Sequence, residues 1–225
     1  MELAPPFHEL DGQIAVDLPR ARAVFTTRSW GDVRANRRRI AERLKLDVAY
    51  ATQVHGTRVL MVTESSGQHA APPAEADAVV TTVTGVAPMV VAADCLPIVI
   101  AAPRAVAAVH AGWRGLEAGV IGNAVQRMRE QSGGVLAAAI GPGAGVCCYE
   151  VGDDLHRRFA ARSQDFHDGR NLDLKAIARV QLMEAGVANI YDTGICTICG
   201  DPGLTFSYRR EGAEAGRHAA IAWLT

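Results

Sequence analysis

Three apolar runs, Pro88–Ala92, Ile98–Ala101 and Ala105–Val109, follow one another with no charged residue inside them. A strand with one wet face alternates apolar and polar residues. Runs that are apolar throughout read as strands covered on both faces. Further strand-like segments are Gln13–Asp17, Ala23–Thr27, Ala49–Val54, Arg58–Thr63, Ala78–Thr82, Leu136–Ile140, Ile190–Thr193, Phe206–Tyr208 and Ala219–Trp223. Helical spacing is expected over Asp32–Leu46, Leu116–Gln131, Asp153–Ala161 and Leu172–Ala185, the last opened by Asn171 and closed by Gly186. Helices scattered among so many strands point to an α+β fold with more than one β layer. Surface loops are expected at Ser65 to Ala76 and Ser163 to Arg170, and neither requires a domain boundary. The expectation is a single domain over residues 1–225.

The longest apolar stretch, Val86 to Ala102, is broken by Pro88, Asp94 and Pro97, so it does not read as a membrane span. A net charge of −1 gives no basic excess to neutralise phosphates, which argues against nucleic acid or an anionic membrane as partner. The N-terminus carries no signal-peptide pattern. Five cysteines, an odd number, fit free or metal-bound thiols in a reducing cytoplasm better than a disulfide framework.

Chemistry-bearing residues stand where apolar runs end. His55 follows Ala49–Val54, Cys95 lies between two runs, and His110 ends Ala105–Val109. Taken singly, each also reads as a turn or core residue. Together they offer two imidazoles and one thiolate, a set that suits zinc and leaves a fourth position open for catalysis. The remaining histidines, His8, His69, His156, His167 and His218, are expected to be structural or solvated. Cys196-Thr197-Ile198-Cys199 has Cys-x-x-Cys spacing, but no second such pair exists, so a structural four-cysteine site is not expected, and Cys147-Cys148 is not a metal motif either. After His110 the chain reads Ala-Gly-Trp-Arg-Gly and enters a helix, where free N–H groups and Arg114 suit an anion. Arg28 and Arg209 also close strand-like segments and are candidates to converge on one anion, although such arginines also occur simply in solvent.

The ordered motifs Thr52-Gln53-Val54-His55-Gly56, Ala93-Asp94-Cys95-Leu96-Pro97, Val109-His110-Ala111-Gly112-Trp113-Arg114-Gly115, Ile140-Gly141-Pro142, Cys148-Tyr149-Glu150-Val151-Gly152, Cys196-Thr197 and Phe206-Ser207-Tyr208-Arg209-Arg210 resemble the YfiH-type family, also called the polyphenol oxidoreductase laccase-domain family. The resemblance runs from about Phe25 to Leu224. It implies a single cytoplasmic α+β domain, related to the deamidating-toxin fold, with mixed β-sheets packed between helices. It also implies a zinc-dependent purine nucleoside phosphorylase acting on adenosine, inosine or methylthioadenosine, with adenosine deaminase activity. The implied zinc ligands and catalytic residues are His55, Cys95 and His110. Arg28, Asn36, Gln53, Arg114 and Arg209 are the implied substrate and phosphate contacts, and the chain is expected as a monomer or homodimer. Two departures stand out: a shortened segment after Arg28, and Val146 where a proline is usual.

Two other functions compete. Copper polyphenol oxidation is disfavoured, because seven histidines without a His-x-His pair do not supply a multicopper centre. A cysteine-type hydrolase or amidase acting on peptidoglycan precursors would use Cys95 as nucleophile and His110 as base.

Overall fold

The computed structural model describes residues 3–65, 74–133, 136–160 and 166–225. His69 and much of the two expected surface loops lie outside them. In chain order the first strands are β1 (His8–Leu10), β2 (Gln13–Leu18) and β3 (Ala21–Phe25), followed by helix α1 (Val33–Leu44). Next come β4 (Asp47–Ala49), β5 (Val59–Val62), β6 (Ala78–Thr81), β7 (Val86–Ala92), β8 (Leu96–Ala102) and β9 (Ala105–Ala111). Helices α2 (Trp113–Ala118) and α3 (Val120–Gln131) precede β10 (Leu136–Ile140), and α4 (Asp153–Ala160) precedes a small hairpin of β11 (His167–Asp168) and β12 (Asn171–Leu172). The chain closes with α5 (Leu174–Glu184), β13 (Val187–Asp192), α6 (Tyr208–Glu211) and β14 (His218–Leu224).

The strands form two mixed six-stranded sheets, in the orders β1-β2-β3-β14-β7-β4 and β13-β10-β8-β9-β6-β5. Side-chain alternation explains how the apolar runs are used. In β8, Ile98 and Ile100 join α2, α3 and α5 in one core, while Val99 and Ala101 face the other sheet. In β7 and β14, Met89, Ala219 and Ile221 pack under α1, while Val90, Ala220 and Ala222 point between the sheets. The expected arrangement of mixed sheets between helices is therefore present as four layers. Each large side chain fully buried this way, such as Ile98 or Met89, contributes roughly 1.5–3 kcal/mol. The space between the sheets is filled largely by small residues, among them Ala23, Ala101, Ala108, Ala137, Ala139 and Ala220.

Several boundaries differ from the sequence reading, each for a local reason. The helix expected over Leu116–Gln131 starts earlier and is split at Gly119, whose φ of 90° no regular helix accommodates. Leu172 belongs to the β11–β12 hairpin, and the cap of α5 is Asp173, whose carboxylate accepts from Ala176 N. Phe206–Tyr208 is not a strand: Ser207 caps α6 by accepting from Arg210 N. Of the expected strand Ala49–Val54, Ala49 pairs in β4 and Thr52 forms an isolated parallel bridge with Glu75, and Gln53 continues the edge with its side chain. Its amide nitrogen donates to the Val91 carbonyl and its oxygen accepts from Val91 N, both at 2.7 Å. Among the described residues no helix is long and apolar enough to cross a membrane.

β7 lies in one sheet and β8 in the other, so residues 93–95 form the corner between layers. Asp94 makes that corner at φ 90°, a costly conformation for a residue with a side chain. Three bonds hold it there. Its carbonyl accepts from Ala144 N at 2.8 Å, and its carboxylate accepts from Thr197 Oγ1 at 2.6 Å and Arg209 N at 2.7 Å. The corner thus gathers the Ala144, Thr197 and Arg209 loops at one end of the sandwich.

His218 starts β14 at this same end, fully buried, with Nε2 at 3.2 Å from the Pro142 carbonyl. Burial holds its imidazole down to about 4, against an ordinary value near 6.5. The folded chain therefore keeps His218 neutral while the unfolded chain protonates it. Stability is complete above about pH 6.5 and is lost as pH falls towards 4, by up to ~1.4 kcal/mol per pH unit. Urea denaturation across that window should show the slope, and His218→Gln, which keeps a donor for Pro142, should flatten it.

Candidate metal centre and its flanking arginines

The site begins with a carboxylate that the sequence reading passed over. Asp77 immediately precedes β6 and is fully buried. Its carboxylate accepts the N–H groups of Val54, His55 and Gly56 at 3.1, 2.9 and 2.7 Å. Three successive amides converging on one anion hold His55 in the left-handed region, at φ 60°. The same carboxylate lies 2.8 Å from His110 Nδ1, and the Asp77 carbonyl accepts from His110 N at 2.7 Å. Burial pushes the Asp77 carboxyl up, but the bonds from His110, Gly56 and Val54 outweigh it, and it stays below the usual carboxylate range.

With Nδ1 bound to Asp77, His110 turns its other nitrogen outward. Its ring meets the exposed His55 ring edge-on, with centroids 4.8 Å apart. Cys95 Sγ lies 3.8 Å from His55 Nε2. Potential ligand atoms of His55, Cys95 and His110 all lie within 4.8 Å of one another. Gly112 makes this approach possible: a Cβ there would stand 2.8 Å from Cys95 Sγ and 3.1 Å from His55 Cδ2. Burial raises the Cys95 thiol, but its hydrogen bonds and charge interactions with His110 and His55 bring it down to about 6. His110 is displaced the other way, because Asp77 and the Cys95 thiolate outweigh its own burial. The three residues expected from their strand-end positions thus form one cluster. Its two imidazoles and thiolate are a donor set suited to zinc with a position left open, and the Asp77–His110 bond is the outer carboxylate that orients such a ligand.

Tyr149 stands beside the cluster, half-buried. Burial and the Cys95 and Asp94 charges push its phenol up to about 12, against the opposing pull of Arg209 and Arg114. Arg209 lies over its ring at 5.2 Å and donates from Nη1 to the Glu150 carbonyl. Arg114 stacks on Trp113 at 4.2 Å. Two of the expected anion contacts therefore act on Tyr149. Arg28 and Asn36 instead line a cavity of about 280 Å³ with Ser29, Trp30, Arg39 and Arg43. Arg28 pairs with Glu211 at 2.5 Å and stacks on Phe206, and Asn36 donates to the Asp32 carbonyl. Asp77 was legible in principle, since it precedes an apolar run as Cys95 does. Tyr149 lay inside a quoted motif.

A layered α+β domain carrying an open two-histidine, one-cysteine centre at the sheet ends is the class of protein this geometry defines. The chain belongs to the multi-copper polyphenol oxidoreductase laccase family, whose model matches residues 27–225. A Xylella fastidiosa purine nucleoside phosphorylase is 41% identical over 85% of this chain and 78% of its own length. A Pseudomonas aeruginosa protein named purine nucleoside phosphorylase is 34% identical, covering 91% of this chain and 94% of its own. Among solved structures, Bacillus licheniformis YfiH matches with a TM-score of 0.85 at 27% identity, over 99% of this chain and 100% of its own. YlmD from Geobacillus stearothermophilus matches with 0.82 at 31%, over 97% and 98%.

Replacing Asp77 by Asn removes the charge that orients His110 and sets an amide N–H against the three converging donors. Affinity for zinc at the His55–Cys95–His110 cluster should fall by roughly 10–100-fold in competition with a chromogenic chelator. Unchanged affinity in a folded Asp77→Asn chain would remove Asp77 from the metal's support.

Proposed function

We propose that this protein is a zinc-dependent purine nucleoside phosphorylase acting on adenosine or inosine, with methylthioadenosine as a further substrate. The observation that carries the proposal is the juxtaposition of the His55–Cys95–His110 cluster with Arg114, Arg209 and Tyr149, in a chain whose relatives bear that name. When bound, zinc supplies a Lewis acid at a position open to substrate.

The chain's own residues do the rest. Phosphate has to reach the anomeric carbon as the purine departs. Two guanidinium forks hold such an anion and aim it, which lowers the barrier by positioning and by charge. In this reading Arg114 and Arg209 seat the phosphate, and Arg28, already paired with Glu211, supports the segment that carries Arg209. Tyr149 keeps its proton at neutral pH and donates a hydrogen bond to substrate. Asp77 holds His110 in one orientation throughout. Gln53, with both amide atoms bonded to Val91, fixes the approach of the His55 loop to β7.

Deamination of adenosine is the lesser part of the proposal, since it needs a proton carrier. Glu117 and Glu150 pair with Arg158 and Arg170 at 2.8 and 3.1 Å. Tyr149 is then a proton-bearing group within electrostatic reach of Cys95. A second reading has its own support: without metal, Cys95, His110 and Asp77 form a thiolate–imidazole–carboxylate relay, as an amide hydrolase requires.

Chromatography of adenosine or inosine incubated with zinc-loaded protein, with and without phosphate, separates these readings. Free base and ribose 1-phosphate, formed only with phosphate, are expected. Inosine from adenosine without phosphate reports deamination. No base from zinc-loaded protein, together with amide cleavage by metal-free protein, would establish the hydrolase instead. Arg209→Gln should raise the KM for phosphate about 10-fold, the worth of one charge-assisted hydrogen bond, with zinc content unchanged.

A further inference from the structure

The Cys-x-x-Cys pair, which looked partnerless in the sequence, meets the adjacent Cys147 and Cys148 in space. We propose that Cys147, Cys148, Cys196 and Cys199 form a second, structural zinc site that clamps the Tyr149 loop to the loop leading to Arg209. The four Sγ atoms all lie within 4.8 Å of one another, and Cys147 and Cys199 are 3.5 Å apart. Four thiolates in a tetrahedron at a zinc–sulfur distance of ~2.3 Å stand ~3.8 Å from one another. The cluster therefore needs little movement to close around one ion.

The backbone is already shaped for a thiolate. Gly145 N lies 3.3 Å from Cys196 Sγ, and the N–H groups of Ile198 and Cys199 also point at that sulfur. Gly200 N bonds back to the Cys196 carbonyl at 2.9 Å, which closes the Cys196–Gly200 turn into a knuckle. Gly143 N and Thr197 N bond the Ile195 and Gly143 carbonyls, so the two cysteine-bearing loops are paired before any ion is bound. Burial raises the Cys196 thiol, and the converging N–H groups outweigh it, bringing it down to about 7. Cys147 and Cys148 are pushed up, Cys147 chiefly by burial and Cys148 chiefly by its contact with Cys199. Four crowded thiols cannot all ionise without a cation. Zinc binding offsets half of that charge, each ligating thiol releasing its proton to solvent.

Such a site has no open position, so its role is mechanical. Tyr149 follows Cys148 directly. Thr197, within the knuckle, donates to Asp94 at the sheet corner, and Arg210 Nη1 donates to the Thr197 carbonyl at 2.6 Å. The clamp thereby fixes the loops on both sides of Cys95. This inference is independent of the phosphorylase reading.

Elemental analysis of the full chain, purified in reductant, should give two zinc ions per chain. Cys95→Ser should keep the four-cysteine ion, and the Cys196→Ser/Cys199→Ser pair should lose that ion and keep the one at His55, Cys95 and His110. If the wild-type chain carries a single zinc, its survival in Cys95→Ser supports the proposal and its loss there overturns it. Cobalt(II) gives a readout that does not depend on folding of the double variant. In the Cys95→Ser chain, thiolate-to-cobalt charge-transfer absorption arises from the four-cysteine site alone. No such band, or a Cys147–Cys199 disulfide in protein kept reduced, would refute the site.

Discussion

Asp77 accepts four hydrogen bonds on a carboxylate with no solvent exposure, three from successive amides of the His55 turn and one from His110. A bare carboxylate buried there would be costly, and the convergence of donors is what keeps it charged. The same charge fixes both histidines: one through a strained backbone, the other through its ring nitrogen. His55 and His110 come from distant parts of the chain, and their rings meet at 4.8 Å with Asp77 bonded to both. The cluster is therefore held from behind, and its outward side is left for chemistry.

Asp94 plays the matching part for Cys95. Its own conformation is unfavourable, and its carboxylate is spent on Thr197 and Arg209 rather than on the neighbouring thiol. The acid next to the cysteine in sequence thus supports loops, and the acid that serves the histidine lies 33 positions from it. Both are acidic residues at strand ends, and only the fold distinguishes their duties.

This explains which parts of the molecule were legible in the sequence. The doubly covered strands were, because Val, Ile and Ala on both faces admit no wet side. The trio was, because two imidazoles and a thiol at strand ends add up to one ligand set, although each alone also reads as a turn or core residue. The course of the chain after Ala49 was not: Gln53 imitates a strand by bonding Val91 through its side chain, and no periodicity records that. Nor was the meeting of Cys147-Cys148 with the Cys-x-x-Cys pair, which follows from loop pairing across residues 143 and 195–197. The anion contacts divided for a similar reason. Arg114 and Arg209 act on Tyr149, whereas the Arg28 guanidinium is engaged by Glu211, a partner 183 residues away that no local pattern announces.

The alanines between the sheets bear on how this protein tolerates change. Side chains such as Ala101, Ala108, Ala139 and Ala220 act as a shim of fixed thickness between the two layers. Trimming such positions removes a methyl group at most, whereas enlarging any of them drives the layers apart. The corner at Asp94 bridges those layers, so a thicker shim would shift Cys95 relative to the Thr26–Arg28 and His218 end of the opposite sheet. Sequence drift at these buried, chemically inert positions is thus confined by the dimensions of a centre they never touch. An engineer seeking to widen the substrate space has a lever there that substitutes none of the candidate ligand residues.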